Sequence, residues 1–280
     1  MTAAHNEAAY IENTIQSVLA QTTLPEKWVI VSDSSTDDTD RVIKAYAEKH
    51  DLIVYARREN ESKEADFASK VFALRHAYER LAGQQYDFIG NLDADTTLEN
   101  TYYEKLLEEC RKNQKLGIVG GLLYEESNGK FMPRPLSEMR YVPGAFQLFR
   151  RACYEQVGGY VPSRWGGEDT IAVVTARMKG WETKTIPVIQ GYHHKKSELS
   201  RGYSREWFRN GVMFHALGSH PLIELMKSMR CMTRKPYILG GVMRMYGYLW
   251  ATCNMKERPV SAEFMEYFRS EQWSRVKEIV

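Results

Sequence analysis

Apolar residues recur three and four apart from Glu7 to Gln21, at Ala8, Ile11, Ile15, Val18 and Leu19, and this spacing predicts an amphipathic helix that ends before Pro25. The pattern then changes. Trp28-Val29-Ile30-Val31 is a short β-branched run suited to a strand buried on both faces, and it stops at Ser32-Asp33. A polar turn from Ser34 to Thr39 offers several N-caps for a second helix through Val42, Ile43, Tyr46 and Ala47. Next come a strand at Leu52 to Tyr55, a helix from Phe67 to Leu81, and a strand from Tyr86 to Leu92 that delivers Asp93 at its carboxyl end. Alternating strands and helices predict an α/β fold, with a mainly parallel sheet covered by helices on both faces. Ligands of such sheets sit outside the carboxyl ends of the strands, so Asp33 and Asp93 are expected on the ligand edge.

After Gly120-Gly121 the pattern is less regular. Pro133, Pro135 and Pro143 mark loops, Arg150 to Gln156 reads as a helix closed by Gly158-Gly159, and Thr185 to Gln190 reads as a strand. From about Ser204 onward the chain is helical, with a break at Pro259. The expected organisation is a catalytic domain over residues 1–200 and a helical extension over 201–280.

Composition narrows the class. The 280 residues are 43% hydrophobic and 26% charged, as in ordinary globular proteins, and a formal net charge of +2 gives nucleic acid no polycation to bind. Four scattered cysteines form neither a CxxC spacing nor a disulfide framework, which predicts a reducing, cytoplasmic setting. No basic and apolar leader precedes His5, and no uninterrupted apolar run is long enough to span a bilayer. The expectation is a chain that neither crosses a membrane nor is exported by that route.

Two acidic pairs carry the candidate chemistry. In extended backbone Asp93 and Asp95 point the same way, and Mg²⁺ or Mn²⁺ accepts one or two such carboxylates alongside water and substrate phosphates. Glu168-Asp169 follows a flexible Gly166-Gly167 and opens an apolar helix. Either pair alone is equally at home on a solvated loop or a helix amino terminus.

Their company decides between these readings, because the ordered motifs resemble family-two glycosyltransferases of the GT-A type over most of residues 2 to 195. His5-Asn6-Glu7 is similar to that family's Tyr-Asn-Glu, with Ser17 and Gln21 fitting its following Ser-x-x-x-Gln. Ser32 to Thr39 resembles its Asp-Asp-Gly-Ser-Thr-Asp-Asp-Thr, and Asp93-Ala94-Asp95 its metal triplet. Gly144 through Gly159, then Glu168-Asp169, resemble its acceptor loop and catalytic acids. The resemblance implies a Rossmann-like GT-A sheet flanked by helices. Asp33 would read the nucleobase, with Ala3, His5 and Glu7 beside base and ribose, and Lys70 would meet the diphosphate. Asp93 would lie between ribose and metal and Asp95 on the metal, and His193 would be either a further metal ligand or a surface or hydrogen-bonded histidine. Asp169 would be the base for an inverting transfer, with Gly144 and Glu168 at the acceptor, and Trp165 would either offer its ring there or belong to the core. Lys195, Lys196, Arg201 and Arg205 would close over the diphosphate or form a solvated face.

The chain also departs from that pattern. Ser32 and Ser34 replace an Asp and a Gly. Met1 falls where the family's first apolar strand is nearly over, which raises the expectation of a misplaced or truncated start. Further on, Tyr237 to Trp250 is apolar but interrupted by Arg244, and Arg230, Arg234, Lys235, Lys256 and Arg258 flank it. An interfacial helix at an anionic membrane and a helix packed on the catalytic domain are the two readings. The function expected is transfer of a sugar from a nucleotide-diphospho-sugar to a glycan or lipid-linked acceptor, in polysaccharide or glycoconjugate assembly. A sugar-phosphate nucleotidyltransferase would need a glycine-rich, Arg- and Lys-bearing first loop that is missing. A non-catalytic scaffold sits poorly with Asp33, Asp95 and Asp169 all being present.

Overall fold

The computed structural model describes residues 1–59, 67–127, 129–134, 138–195, 203–233 and 237–279. They divide into two compact units, one of Met1–Ala65, Ser69–Tyr160 and Glu168–Lys196, the other of Asp66–Ala68, Val161–Gly167 and Ser197–Val280.

In the first unit, β1 (Thr2–Ala4), α1 (Ile11–Leu19), β2 (Trp28–Asp33), α2 (Thr39–Ala47) and β3 (Ile53–Arg58) form a parallel sheet in the order β1-β2-β3. Helix α1 starts four residues later than its apolar spacing predicts. The amides of Glu7 and Ala8 are bonded to Thr39 Oγ1 and Asp37 Oδ2, so this segment forms a turn before the helix begins.

Helix α3 (Phe67–Glu79) precedes β4 (Phe88–Leu92), β5 (Thr96–Leu98), α4 (Tyr102–Lys112), β6 (Leu116–Ser127), β7 (Lys130–Pro133), β8 (Phe146–Arg150), α5 (Arg151–Val157), α6 (Glu168–Met178) and β9 (Glu182–His193). The second sheet runs β4-β8-β6-β9-β5, with β7 on β6, and it is mixed. Strand β6 pairs parallel to β9, whereas β8 is antiparallel to both β4 and β6. The less regular stretch after Gly120-Gly121 begins as a continuation of β6 to Ser127, and Pro143 lies in a loop as expected. A Cβ on Gly121 would stand 2.6 Å from the Ile189 carbonyl, so this glycine serves close packing inside a strand.

The two sheets join through Met1. Its amino group donates to Gly90 O at 2.7 Å and Leu92 N donates to Met1 O at 3.0 Å, so β1, though three residues long, stands between β2 and β4. Successive residues of β2 feed opposite cores. Trp28 and Ile30 pack with Ile11, Ile15, Ile43 and Leu106, while Val29 and Val31 pack with Val71, Leu74, Phe149 and Val173. Helices therefore cover both faces, as the continuous apolar run of β2 requires. At the amino ends of the strands a cavity of about 260 Å³ is lined by Met1, Trp28, Phe88 and Tyr103, opposite the edge where ligands are expected.

The second unit holds α7 (Tyr203–Ala216), α8 (Pro221–Cys231), α9 (Leu239–Asn254) and α10 (Ala262–Ile279). Helices α7 and α9 meet backbone to backbone: a Cβ on Gly211 would lie 1.9 Å from Arg244 O, and one on Gly247 would lie 2.0 Å from Phe208 O. Arg244, the base that interrupts the apolar stretch from Tyr237 to Trp250, does not face outward. It is buried and bonds Glu224 Oε2 through Nε at 3.1 Å and through a terminal guanidinium nitrogen at 2.6 Å. Glu224 Oε1 accepts from Ser219 and Lys227. Burial works to raise the Glu224 carboxyl, but Lys227 and Arg244 outweigh it and hold it below the ordinary range. Among the described residues no helix is long and apolar enough to cross a membrane.

Candidate active site

The carboxyl ends of β1, β2 and β4 carry the expected acids. Asp33 closes β2, is 5% exposed, and accepts from Arg58 on one carboxylate oxygen and from Ser69 on the other. Arg58 lies directly across from it in the β2–β3 register. His5, just past β1, donates Nδ1–H to the Asp33 carbonyl at 2.6 Å. Ala3 is within β1, paired with Val31. Asn6 adopts a positive φ of 54° and its side chain caps Thr36 N at 2.8 Å, folding the first loop onto the second. Asp37 and Thr39, in the signature-like segment, bond to each other and hold the amides of Ala8 and Glu7. Their place in that segment is thus accounted for by loop architecture.

Glu7 turns its Oε1 toward Lys195, whose Nζ donates at 2.5 Å, while the buried Oε2 has no hydrogen-bond partner among the described residues. Burial raises the Glu7 carboxyl despite Lys195. Of the basic cluster, Lys195 therefore joins this site, Arg205 belongs to α7, and Lys196 and Arg201 lie outside the described residues.

Asp93 and Asp95 follow β4, and they have different neighbours. Asp93 Oδ1 lies 2.6 Å from Lys70 Nζ, which is also 3.9 Å from Glu168 Oε1. Burial would lower the Lys70 ammonium, but Asp93 and then Glu168 overcome it, and the net shift is upward. Asp95, 7% exposed, has Oδ2 3.2 Å from His193 Nε2. Strand β9 brings the histidine there, because His193 is the register partner of Thr96 in β5. Burial alone would raise Asp95 and lower His193; their mutual hydrogen bond and attraction reverse both shifts. His193 Nδ1 is buried with no hydrogen-bond partner among the described residues.

At the amino end of α6, Asp169 Oδ2 accepts from Tyr141 Oη at 2.7 Å and Gly144 N at 3.2 Å. Its Oδ1 accepts from Thr170 N at 2.6 Å. A Cβ on Gly144 would fall 2.9 Å from Asp169 Cβ, so only glycine admits the carboxylate this close. Asn91, inside β4, donates to Gly144 O at 2.7 Å, tying this loop to the strand that ends at Asp93. Glu168 is 9% exposed; burial raises its carboxyl, Lys70 draws it back and Asp169 raises it further. Trp165 belongs to the second unit, where it packs edge-on against Trp250 with ring centroids 5.9 Å apart.

Three neighbours of these acids were not singled out from the sequence. Arg58 had a usable signal, since the last residues of adjacent parallel strands share one edge. Ser69 lay beside Lys70 without a motif of its own. Tyr141 had none, because its pairing with Asp169 spans 28 positions and depends on the loop before β8.

A metal fits this arrangement. Two ligands about 2.1 Å from one ion and at right angles stand about 3 Å apart, close to the Asp95–His193 spacing, and oxygen with imidazole suits Mn²⁺ better than Mg²⁺. Among the described residues no group of three or more His, Cys, Asp or Glu side chains converges to hold an ion. A pair of side chains leaves positions that substrate phosphates and water would fill.

Comparison with known proteins gives the family and the fold. Residues 1–173 match the model of glycosyl transferase family 2. A poly-β-1,6-N-acetyl-D-glucosamine synthase of Staphylococcus aureus is 30% identical over 205 residues, covering 66% of this chain and 47% of the synthase. The chain thus spans about half the length of the curated relatives it matches. Staphylococcus aureus TarS 1–349, solved with UDP-GlcNAc, superposes with a TM-score of 0.54 at 14% identity, over 98% of this chain and 77% of TarS. The mannosyltransferase PcManGT of Pyrobaculum calidifontis, solved with GDP-Man and Mn²⁺, gives 0.54 at 16% identity over 98% and 79%. At those identities the two structures speak for the fold, which is the GT-A type.

Proposed function

The chain belongs to glycosyl transferase family 2, and on that premise we propose that it moves a sugar from a nucleotide-diphospho-sugar to a glycan or lipid-linked acceptor, with inversion, in cell-surface polysaccharide or glycoconjugate synthesis. One observation carries the reading. Asn91 bonds Gly144, and Gly144 bonds Asp169, so the carboxylate assigned as base is built onto the same strand end as Asp93 and Asp95. That shared backbone supports a donor and a base held together for an in-line displacement.

In this reading Asp33, His5 and Glu7 hold the nucleoside and Ala3 contributes backbone beside the base. Asp169 takes the proton from the acceptor hydroxyl as that oxygen attacks the anomeric carbon and the nucleoside diphosphate leaves. Tyr141 and Gly144 hold its Oδ2 in place. Glu168 contacts the acceptor. Asp95 and His193, with Asp93 between metal and ribose, hold the divalent ion. When bound, that ion neutralises charge on the departing diphosphate. Lys70, anchored by Asp93 and Glu168, adds a fixed positive charge beside the same group. The Mn²⁺ in the PcManGT structure supports a divalent metal, and the UDP-GlcNAc in TarS supports a nucleotide-sugar donor.

The cytoplasmic setting belongs to the same proposal and is supported by four free thiols, Cys110, Cys153, Cys231 and Cys253. So does peripheral membrane contact through the carboxyl-terminal helices, where a lipid-linked acceptor would be met.

A panel of nucleotide-sugars, tested for Mn²⁺-dependent binding and turnover with the parent, Asp95→Ala and Asp169→Asn, examines the mechanism. Asp95→Ala is expected to lose metal-dependent donor binding, and Asp169→Asn to bind donor but not transfer. Equal binding and turnover in all three would sink it.

A further inference from the structure

Helices α8 and α9 lie antiparallel. Glu224 meets Arg244, Tyr248 Oη donates to Ser219 O, and Gly241 packs on Ser228 O. Phe214 of α7 sits beneath both, with Lys227 Nζ 4.2 Å and Arg244 Cζ 4.7 Å from its ring centre. On the side of α8 turned away from these contacts, Leu222, Leu225, Met226 and Met229 are all exposed, at helical spacing. Along α9 the exposed positions are Leu239, Val242, Tyr246 and Leu249, again one stripe, and Tyr237 and Ile238 extend it past the helix start. Because the buried sides of both helices face α7, the two stripes adjoin on one outward face. Met229 is 59% exposed and Ile238 66%, values typical of surface charges and unusual for a cluster of large apolar side chains.

The surrounding charge indicates what covers this face. Between Pro221 and Lys256 the sequence has one acid, Glu224, and six bases, Lys227, Arg230, Arg234, Lys235, Arg244 and Lys256. That single acid is turned inward and consumed by Ser219, Lys227 and Arg244, whereas Arg230 and Lys256 are exposed. Even with exposed Glu257 beside Lys256, the segment that carries this face is net positive, so pairing it with a second copy of itself would oppose like charges. It does complement an apolar layer beneath anionic headgroups.

We propose that the outward face of the α8–α9 pair docks on an anionic lipid surface, with Leu222, Leu225, Met226, Met229, Val242 and Leu249 entering the acyl boundary and Arg230 meeting headgroup phosphates. This deepens the proposed action on a lipid-linked acceptor by naming the surface that brings the enzyme to it. Tyr237 and Tyr246 suit the boundary itself, since each ring can enter while its hydroxyl stays wet. Both helices lie along the surface in this arrangement, and neither crosses it.

Flotation of the whole chain with vesicles of phosphatidylcholine alone, or with added phosphatidylglycerol, tests the proposal. Binding is expected on the anionic vesicles and to fall about tenfold or more on the neutral ones and in high salt. Leu225→Glu with Met229→Glu, both at exposed positions, should lose about tenfold or more on anionic vesicles with an unchanged melting curve. Arg230→Glu should lose only the anionic increment. Failure of the parent to float with anionic vesicles, or equal flotation of the double variant, overturns the proposal. So does a concentration-dependent dimer that the double variant abolishes without any vesicle binding. Donor hydrolysis in detergent-free solution is scored separately, so a lost membrane face leaves the transferase reading standing, and lost turnover with intact flotation does the reverse.

Discussion

Tyr141 donates its hydroxyl hydrogen to Asp169 Oδ2 across 2.7 Å, from a loop 28 residues upstream, and this bond leaves the carboxylate one orientation relative to Gly144. The phenol is itself buried, and burial followed by the charge of Asp169 raises its own ionisation well above the ordinary range, so it remains a donor throughout the physiological window. Tyr141 is therefore a positioning residue for the proposed base. Tyr141→Phe removes one hydrogen bond to a charged group, worth about 1.5–3 kcal/mol, and kcat should fall about tenfold or more. Donor KM should stay within about twofold, since the donor pocket is built from other residues. Steady-state kinetics decide the matter, and an unchanged kcat would remove Tyr141 from the mechanism.

Lys70 is held between Asp93 and Glu168 before any donor arrives. Lys70→Met leaves those carboxylates without their shared cation, and the incoming diphosphate then meets uncompensated negative charge. Calorimetric titration should show the donor Kd rising about tenfold, with Lys70→Arg recovering part of the loss because it restores the charge but not the reach. A methionine variant binding as tightly as the parent would make Lys70 a purely structural cation.

Gly211 marks where α7 and α9 touch. With Arg244 O only 1.9 Å from an added Cβ, Gly211→Ala must separate α7 from α9, and α9 carries the Arg244 that pairs with buried Glu224 of α8. Overpacking of this kind should cost about 3 kcal/mol in urea unfolding. A loss below about 0.5 kcal/mol, within the range of ordinary surface substitutions, would mean that the helices can part without consequence.

His215 supplies a pH dependence. It is 5% exposed, its Nε2 is 3.0 Å from an Arg258 guanidinium nitrogen, and its ring meets Tyr248 edge-on. Burial, and then the charge of Arg258, lowers it to about 4 from 6.5. The unfolded chain takes up a proton as pH drops below 6.5, while the folded chain does so only near 4. Stability contributed by neutral His215 is thus complete above pH 6.5 and lost as pH falls toward 4, by roughly 3 kcal/mol over that window. Urea unfolding at several pH values should show this slope, and His215→Phe should flatten it.

Much of the first unit was readable in the chain because its signals are local. The apolar run of β2 requires burial on both faces, and alternation of strands with amphipathic helices leaves few ways to provide it. The same alternation places Asp33 and Asp93 at strand ends, where ligands of such sheets bind. The motifs around them brought in the family, and with it Asp95, Asp169 and His193 as candidates. Other features depended on distant partners. Gly120 and Gly121 lie inside a strand that the sequence pattern did not mark, because the neighbours that require glycine there are remote in sequence. Arg244 interrupts an apolar run and is internal, and nothing in the sequence marked this, because its partner Glu224 lies on another helix. Tyr141, Arg58 and the Lys70 bridge emerged only when the loops and strand register were in place. Periodicity and order of motifs were sufficient for the fold class and the acids; which cation or hydroxyl faces each acid was decided by tertiary structure, because hydrogen bonds and ion pairs act over about 3 Å in space and carry no record of separation along the chain.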